Sequence, residues 1–208
     1  MPSLGRLHLI TDTRPGRHPL AVLRAALPVA GPELVVQVRV EDDATDREAY
    51  ELARRVVALC APYGATCLVN DRLHVALAVG AAGGHVGADD LPVRAARRVL
   101  GSTAVLGATT REAESAAAAV VAGASYLGVG PCHATSTKTG LPAPIGPAGV
   151  RAVAEAVAVP VIAIGGVTAA SVPALRAAGA YGVAVVGALS GAADPARATA
   201  TLLGALTC

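Results

Sequence analysis

Short apolar runs alternate with helix-patterned segments along this chain, and that alternation restricts its fold more than any single residue does. Runs at 7–11, 34–40, 67–69, 84–87, 104–108, 126–130, 161–164 and 182–186 have the length of buried strands. Between most of them, apolar side chains return at helical spacing. The segment 46–61 does so through Leu52, Val56, Val57, Leu59 and Cys60, and further helices are predicted over 73–79, 92–100, 112–122, 149–157, 171–178 and 195–206. Pro92 suits a helix entry, and Thr109 or Thr110 is expected to cap the helix at 112. After the first run the pattern predicts only a loop. Strands apolar on both faces imply a parallel sheet covered by helices. Eight βα units, with Gly165-Gly166 after the seventh strand, favour a closed (β/α)8 TIM barrel over an open doubly wound sheet. All 208 residues fit one such domain.

Composition narrows the function classes. Hydrophobic residues make up 53% of the chain, yet Phe and Trp are absent, so the core must come from many small aliphatic contacts. A net charge of +2, with no basic stripe interleaved with aromatics, argues against nucleic acid. Cys60, Cys67, Cys132 and Cys208 lack metal-type spacing and read as reduced thiols. The first residues lack the charged-then-apolar order of a signal peptide, and the Ala-rich stretch 116–130 is short for a bilayer span. The expectation is a cytoplasmic protein acting on small molecules, with no membrane or nucleic-acid partner.

One loop stands out. Residues 128–140 leave an apolar run and open into Thr135, Ser136, Thr137 and Thr139 around Lys138, the only lysine beside sixteen arginines. A compact ammonium among hydroxyls suits a phosphate oxygen. The other unusual polar residues also follow strand ends: Arg39, Asn70, Asp71, Asp90, Thr109 and Gly165-Gly166. On a barrel those ends form the rim where active sites are built. Asp71 and Asp90 follow neighbouring strands, and two carboxylates with open positions suit Mg²⁺, which keeps waters and takes substrate phosphate. Each could instead cap the helix that follows it. Gly165-Gly166 lets backbone approach an anion, with the helix after Thr168 adding N–H groups. His8 and His74 read as structural and His85 as a hydrogen-bonded core residue, while His133 in the loop is an acid/base candidate.

Eight segments then carry a resemblance over nearly the whole chain: 9–12, 37–39, 69–72, 84–87 with Asp90, 107–109, 130–138, 163–166 and 182–186. In their order they resemble thiamine-phosphate synthase and the related TenI-type thiazole tautomerase. That resemblance implies the same barrel and coupling of hydroxymethylpyrimidine diphosphate to a thiazole phosphate, with diphosphate released. It implies Mg²⁺ on Asp71 and Asp90; diphosphate contacts from Arg39, Thr109 and Lys138; and a pyrimidine site with Gln37 and Asn70. Arg39, Asn70 and Lys138 would carry the catalysis. Thr135, Ser136 and Thr137, with the amides of Gly166, Val186 and Gly187, would receive the thiazole phosphate.

Some residues depart from the synthase pattern. Glu41 stands where the family has a lysine, two residues after the second-strand arginine, Thr109 replaces a serine, and Gly187 replaces a serine that would have added a hydroxyl. The tautomerase alternative needs a histidine at the position of Arg111, so it lacks its base unless His133 substitutes. A non-catalytic barrel binding a thiamine precursor is the third reading, and Glu41 is its best support. Whether the barrel pairs as a homodimer is left open.

Overall fold

A computed structural model describes residues 4–137 and 140–207. Its eight strands form one closed, all-parallel barrel in sequence order, β1 (Leu7–Ile10), β2 (Leu34–Val38), β3 (Thr66–Asn70), β4 (Gly83–Val86), β5 (Val105–Thr110), β6 (Tyr126–Val129), β7 (Val161–Ile164) and β8 (Gly182–Val185), with β8 returning to β1. The continuous apolar runs form strands because both of their faces are covered. Leu7, Leu9, Leu34, Val36, Val69, Leu106, Leu127, Val129, Val161, Ala163, Val183 and Val185 pack outward under the helices. The alternate residues Ile10, Val35, Leu68, Tyr126, Ile162 and Ala184 fill the interior. Burying each Val or Leu side chain stabilises the fold by about 1.5–3 kcal/mol, so many small contacts replace the missing Phe and Trp.

The helical layer comprises α1 (Pro19–Ala30), α2 (Asp46–Cys60), α3 (Leu73–Val79), α4 (Val93–Leu100), α5 (Ala113–Val121), α6 (Gly146–Ala156), α7 (Val172–Ala177), α8 (Gly187–Ser190) and α9 (Pro195–Thr207). Helix α2 opens on a capping box: Thr45 Oγ1 accepts the Glu48 N–H while the Glu48 carboxylate accepts the Thr45 N–H. Helix α1 corrects the loop expected after the first run. Pro19 starts it where no helical N–H is needed. Pro28 sits inside it without a backbone donor, a loss offset by burial of Val22, Leu23, Ala26, Leu27 and Ala30 against the barrel and α9.

Thr109 and Thr110 also differ from expectation. Both belong to β5, and α5 has no side-chain cap at its start. Thr110 Oγ1 instead lies 2.5 Å from Ser115 Oγ. No helix among the described residues is long and apolar enough to cross a membrane.

Candidate active site

Strand parity sets the site. Gln37, Asn70, Thr109, Ile164 and Val186 stand two or four residues beyond interior side chains of their own strands, so all five share the inward face at the carboxyl end. Cross-strand register then aligns Asn70 with His85, His85 with Gly107, and Gly107 with Tyr126. Gln37 is buried and donates from Nε2 to Asn70 Oδ1 at 2.5 Å. That bond turns the Asn70 carbonyl toward β2 and leaves its NH₂ for a ligand.

Arg39 follows β2. Its N–H donates to Thr11 Oγ1 at 2.8 Å, and Thr11 donates back to its carbonyl at 2.6 Å, which locks the ends of β1 and β2 together. Its guanidinium stands 3.4 Å from Glu41. The carboxylate at position 41 is thus turned onto an arginine, while Arg72 pairs with Asp46 instead.

Asp71 takes φ +59° just past β3, a left-handed conformation that Asp tolerates, and its N–H donates to the His85 carbonyl at 2.9 Å. Asp90 folds back so that Oδ2 accepts the Gly87 N–H at 2.7 Å. The N-caps of α3 and α4 are Arg72 and Pro92, and neither makes a side-chain bond to the helix it opens. Both carboxylates are exposed at adjacent strand ends. Two hard oxygen donors with room for waters and substrate oxygens fit Mg²⁺. No group of three or more His, Cys, Asp or Glu among the described residues forms a closed metal cage.

The central loop turns against the Gly-Gly pair. The Cys132 and His133 N–H groups donate to the carbonyls of Ile164 and Gly165 at 2.7 and 2.9 Å. Gly165 and Gly166 have φ +94° and +61°, and a Cβ on Gly166 would stand 2.4 Å from the Ala134 carbonyl oxygen. Only glycine permits this approach. Thr135 Oγ1 lies 3.1 Å from Thr137 Oγ1, and the Thr137 methyl lies 3.4 Å from where a Gly187 Cβ would be. The hydroxyl loop, the Gly166 turn and the start of α8 therefore meet. Ser136 is exposed beside them, with its carbonyl facing Arg14 at 3.5 Å. Lys138 and Thr139 lie outside the described residues. His133 is half-buried and its Nε2 has no partner among the described residues. Helix α7 has six residues, Val172–Ala177, with Ser171 at its N-cap, within a residue of the predicted 171–178.

Two clusters join partners that the sequence pattern does not pair, although His85 is the hydrogen-bonded core residue expected. Asp12, its side chain 1% exposed, accepts Arg14 Nε at 2.8 Å, Arg14 Nη2 at 2.7 Å and Ser190 Oγ at 2.7 Å, with Arg17 Nε at 3.6 Å. Hydrogen bonding by Arg14 holds this carboxyl far below the usual carboxylate range. The second cluster is His85 between Tyr126 and Thr109. Burial pushes His85 down to about 4, against an opposing pull from Asp90, so the imidazole is neutral. His8, edge-on to Tyr126 at 5.1 Å, is pushed down to about 3 by burial first and by His85 second. His74 is exposed and pairs with Asp46.

A closed parallel barrel with its amide, hydroxyl and carboxylate groups gathered at the carboxyl ends of the strands defines a (β/α)8 enzyme scaffold. Comparison with known proteins narrows this. Residues 7–189 match the family described as thiamine monophosphate synthase. A thiamine-phosphate synthase from Salinispora arenicola is 78% identical over 208 residues, covering all of both chains. Another, from Haloquadratum walsbyi, is 44% identical over 96% of this chain and 90% of its own. A solved thiamine phosphate pyrophosphorylase from Pyrococcus furiosus superposes with a TM-score of 0.86 at 33% identity, over 97% of this chain and 95% of that one. The chain belongs to the thiamine monophosphate synthase family.

Proposed function

We propose that this transferase of thiamine biosynthesis joins hydroxymethylpyrimidine diphosphate to a thiazole phosphate and releases diphosphate, working as a single barrel domain in the cytoplasm. The observation that carries the reading is the full-length identity to named synthases. The polar residues gathered on the inward rim support it.

In this reading the bond between the pyrimidine methylene and the diphosphate oxygen breaks first. The thiazole nitrogen then donates its electron pair to the carbocation, and the bonding pair leaves with diphosphate. Such a step needs charge stabilisation on the leaving group more than a base. Arg39 and the Thr109 hydroxyl bind diphosphate oxygens, joined by Lys138 from the hydroxyl loop. Asn70, held by Gln37, offers its NH₂ to the pyrimidine. Asp71 and Asp90 would hold Mg²⁺, which when bound neutralises part of the diphosphate charge. Thr135, Ser136 and Thr137, with the amides of Gly166, Val186 and Gly187, take the thiazole phosphate.

The tautomerase alternative gains nothing at position 111. Arg111 donates from Nη2 to the Ala143 carbonyl at 2.7 Å, and a guanidinium offers donors only, with no lone pair for a base. Glu41, the best support for a non-catalytic barrel, is paired with Arg39. The test is incubation with both phosphorylated precursors, with and without Mg²⁺, following diphosphate and thiamine phosphate. Stoichiometric release of both products is expected. A folded protein that releases neither refutes the reading.

A further inference from the structure

The barrel interior holds a built polar chain that the proposed chemistry does not use directly. His85 Nδ1 lies 2.9 Å from the Tyr126 hydroxyl, and His85 Nε2 lies 2.9 Å from Thr109 Oγ1. The strands make room for it by omitting side chains. A Cβ at Gly107 would stand 2.2 Å from Tyr126 Cζ and 2.3 Å from His85 Nδ1, and one at Gly128 would stand 3.1 Å from His85 Cε1.

The direction of each bond can be assigned. His85 is buried with a hydroxyl, and no charged group, at each ring nitrogen. The neutral imidazole that suits such a site has one N–H and one lone pair, so one hydroxyl donates to it and the other accepts from it. Tyr126 is fully buried, and among the described residues its hydroxyl meets His85 Nδ1 alone. Were Nδ1 to carry the proton, the phenolic hydrogen would be stranded in the core, which buried polar groups avoid. His8 offers no alternative acceptor, for its Nε2 has no partner although its ring touches Tyr126. Tyr126 therefore donates to Nδ1, and His85 must donate from Nε2 to Thr109. One of the two lone pairs of Thr109 Oγ1 is then taken. Thr109 itself is exposed at the rim, so its own hydrogen faces the site.

We propose that Tyr126 and His85 are positioning residues that fix the direction of the Thr109 hydroxyl, committing its proton to an oxygen of the substrate diphosphate. This rests on the reading of Thr109 as a diphosphate contact. The chain works as a one-way switch set by the phenol: no proton leaves it during the reaction, and no bond in it forms or breaks. An anionic ligand oxygen is favoured over a donor at this point. A ligand presenting only N–H or O–H could use the second lone pair of Thr109 Oγ1 but would leave the Thr109 hydrogen without an acceptor.

The test combines a spectroscopic and a kinetic reading on the intact protein. Long-range ¹H–¹⁵N NMR, with His85 assigned by its loss in H85Q, should show Nδ1 bare and Nε2 protonated in the parent. Y126F removes one oxygen from the chain, and its tautomer should become mixed or reversed. T109V should raise KM for the pyrimidine diphosphate by about 10-fold or more, as loss of a bond to a charged group does, with KM for the thiazole phosphate unchanged. T109S should restore it. Y126F should raise the same KM by about 5-fold, and should add nothing in a T109V background. A parent with Nδ1 protonated overturns the proposal, as does a Y126F effect that multiplies with T109V. The expected tautomer beside an unchanged KM in T109V overturns the diphosphate contact itself. That result would be a failure of the functional reading of Thr109, visible apart from the direction of the chain.

Discussion

Asp12→Asn tests whether a buried carboxylate organises the rim from beneath. The parent carboxylate accepts two side-chain bonds from Arg14 and one from Ser190, all at 2.7–2.8 Å, with the Arg14 N–H at 3.4 Å and Arg17 close by. Asparagine keeps the shape but replaces one acceptor oxygen with a donor that faces another donor. Bonds to charged groups contribute about 1.5–3 kcal/mol each when buried. Arg14 is 31% and Arg17 40% exposed, so water recovers part of what they lose. The net expectation is a loss of about 2–3 kcal/mol, equivalent to about 5–10 °C in Tm for a chain of this size. The pH dependence has a definite sign. The folded-state pKa of Asp12 is depressed, so below about pH 4 the unfolded chain takes up a proton that the folded chain refuses. The stabilisation is complete above that pH and falls by about 1.4 kcal/mol per unit on further acidification. Denaturant unfolding of parent and variant at pH 7 and pH 3 reads the difference. A deficit below about 1 kcal/mol at pH 7, or one as large at pH 3, refutes the reasoning.

The other predictions concern the rim directly. Glu41→Lys should lower KM for the diphosphate substrate several-fold and reduce the Mg²⁺ needed for half-maximal rate, read by titrating each. Asp71→Asn and Asp90→Asn should raise the half-saturating Mg²⁺ by about 10-fold or more while leaving the unfolding midpoint in place, because Asn tolerates φ +59° and can still accept the Gly87 N–H. Gly166→Ala should cost about 1–3 kcal/mol in backbone strain alone and push residues 133–134 away, raising KM for the thiazole phosphate more than for the diphosphate in steady-state assays.

The strands were legible because a parallel sheet covered on both faces writes each strand as an unbroken apolar run. The rim was legible for a related reason: polar residues end such runs only where the chain emerges from the core. Helix α1 was hidden because it starts on Pro19, contains Pro28 and is apolar nearly all round, which erases the 3.6-residue stripe. Thr109 and Thr110 were misassigned to a cap. Two β-branched residues also suit a strand, and β5 continues through them because β6 pairs with both. What no periodicity could reveal is contact across the barrel. Asp12 meets Ser190 across 178 positions and His85 meets Tyr126 across 41, and both depend on register. The glycines at 107 and 128 were the available signal, since a strand that omits side chains at inward positions reserves space for something large beside it.

Charge balance ties the departures from the family pattern together. Among the charged side chains assigned to the diphosphate and the metal, with Glu41 beside them, Arg39 and, by sequence, Lys138 are cations and Glu41, Asp71 and Asp90 are anions. Their formal sum is −1. Asp12 and Glu41 are already spent on arginines: Asp12 contributes most to holding Arg14 charged, and Glu41 contributes less. A diphosphate would then approach a rim with no net attraction, at a range where one unit charge is worth about 3–4 kcal/mol at an effective dielectric of 20. In the proposed site a divalent cation held by Asp71 and Asp90 would add two positive charges to the same rim. A lysine at position 41 in place of the glutamate would add as much from side chains alone. On that reading the glutamate shifts the work of attracting diphosphate from the β2 loop to the Asp71–Asp90 pair, and diphosphate release by this chain should depend on Mg²⁺ more steeply than release by its Glu41→Lys variant.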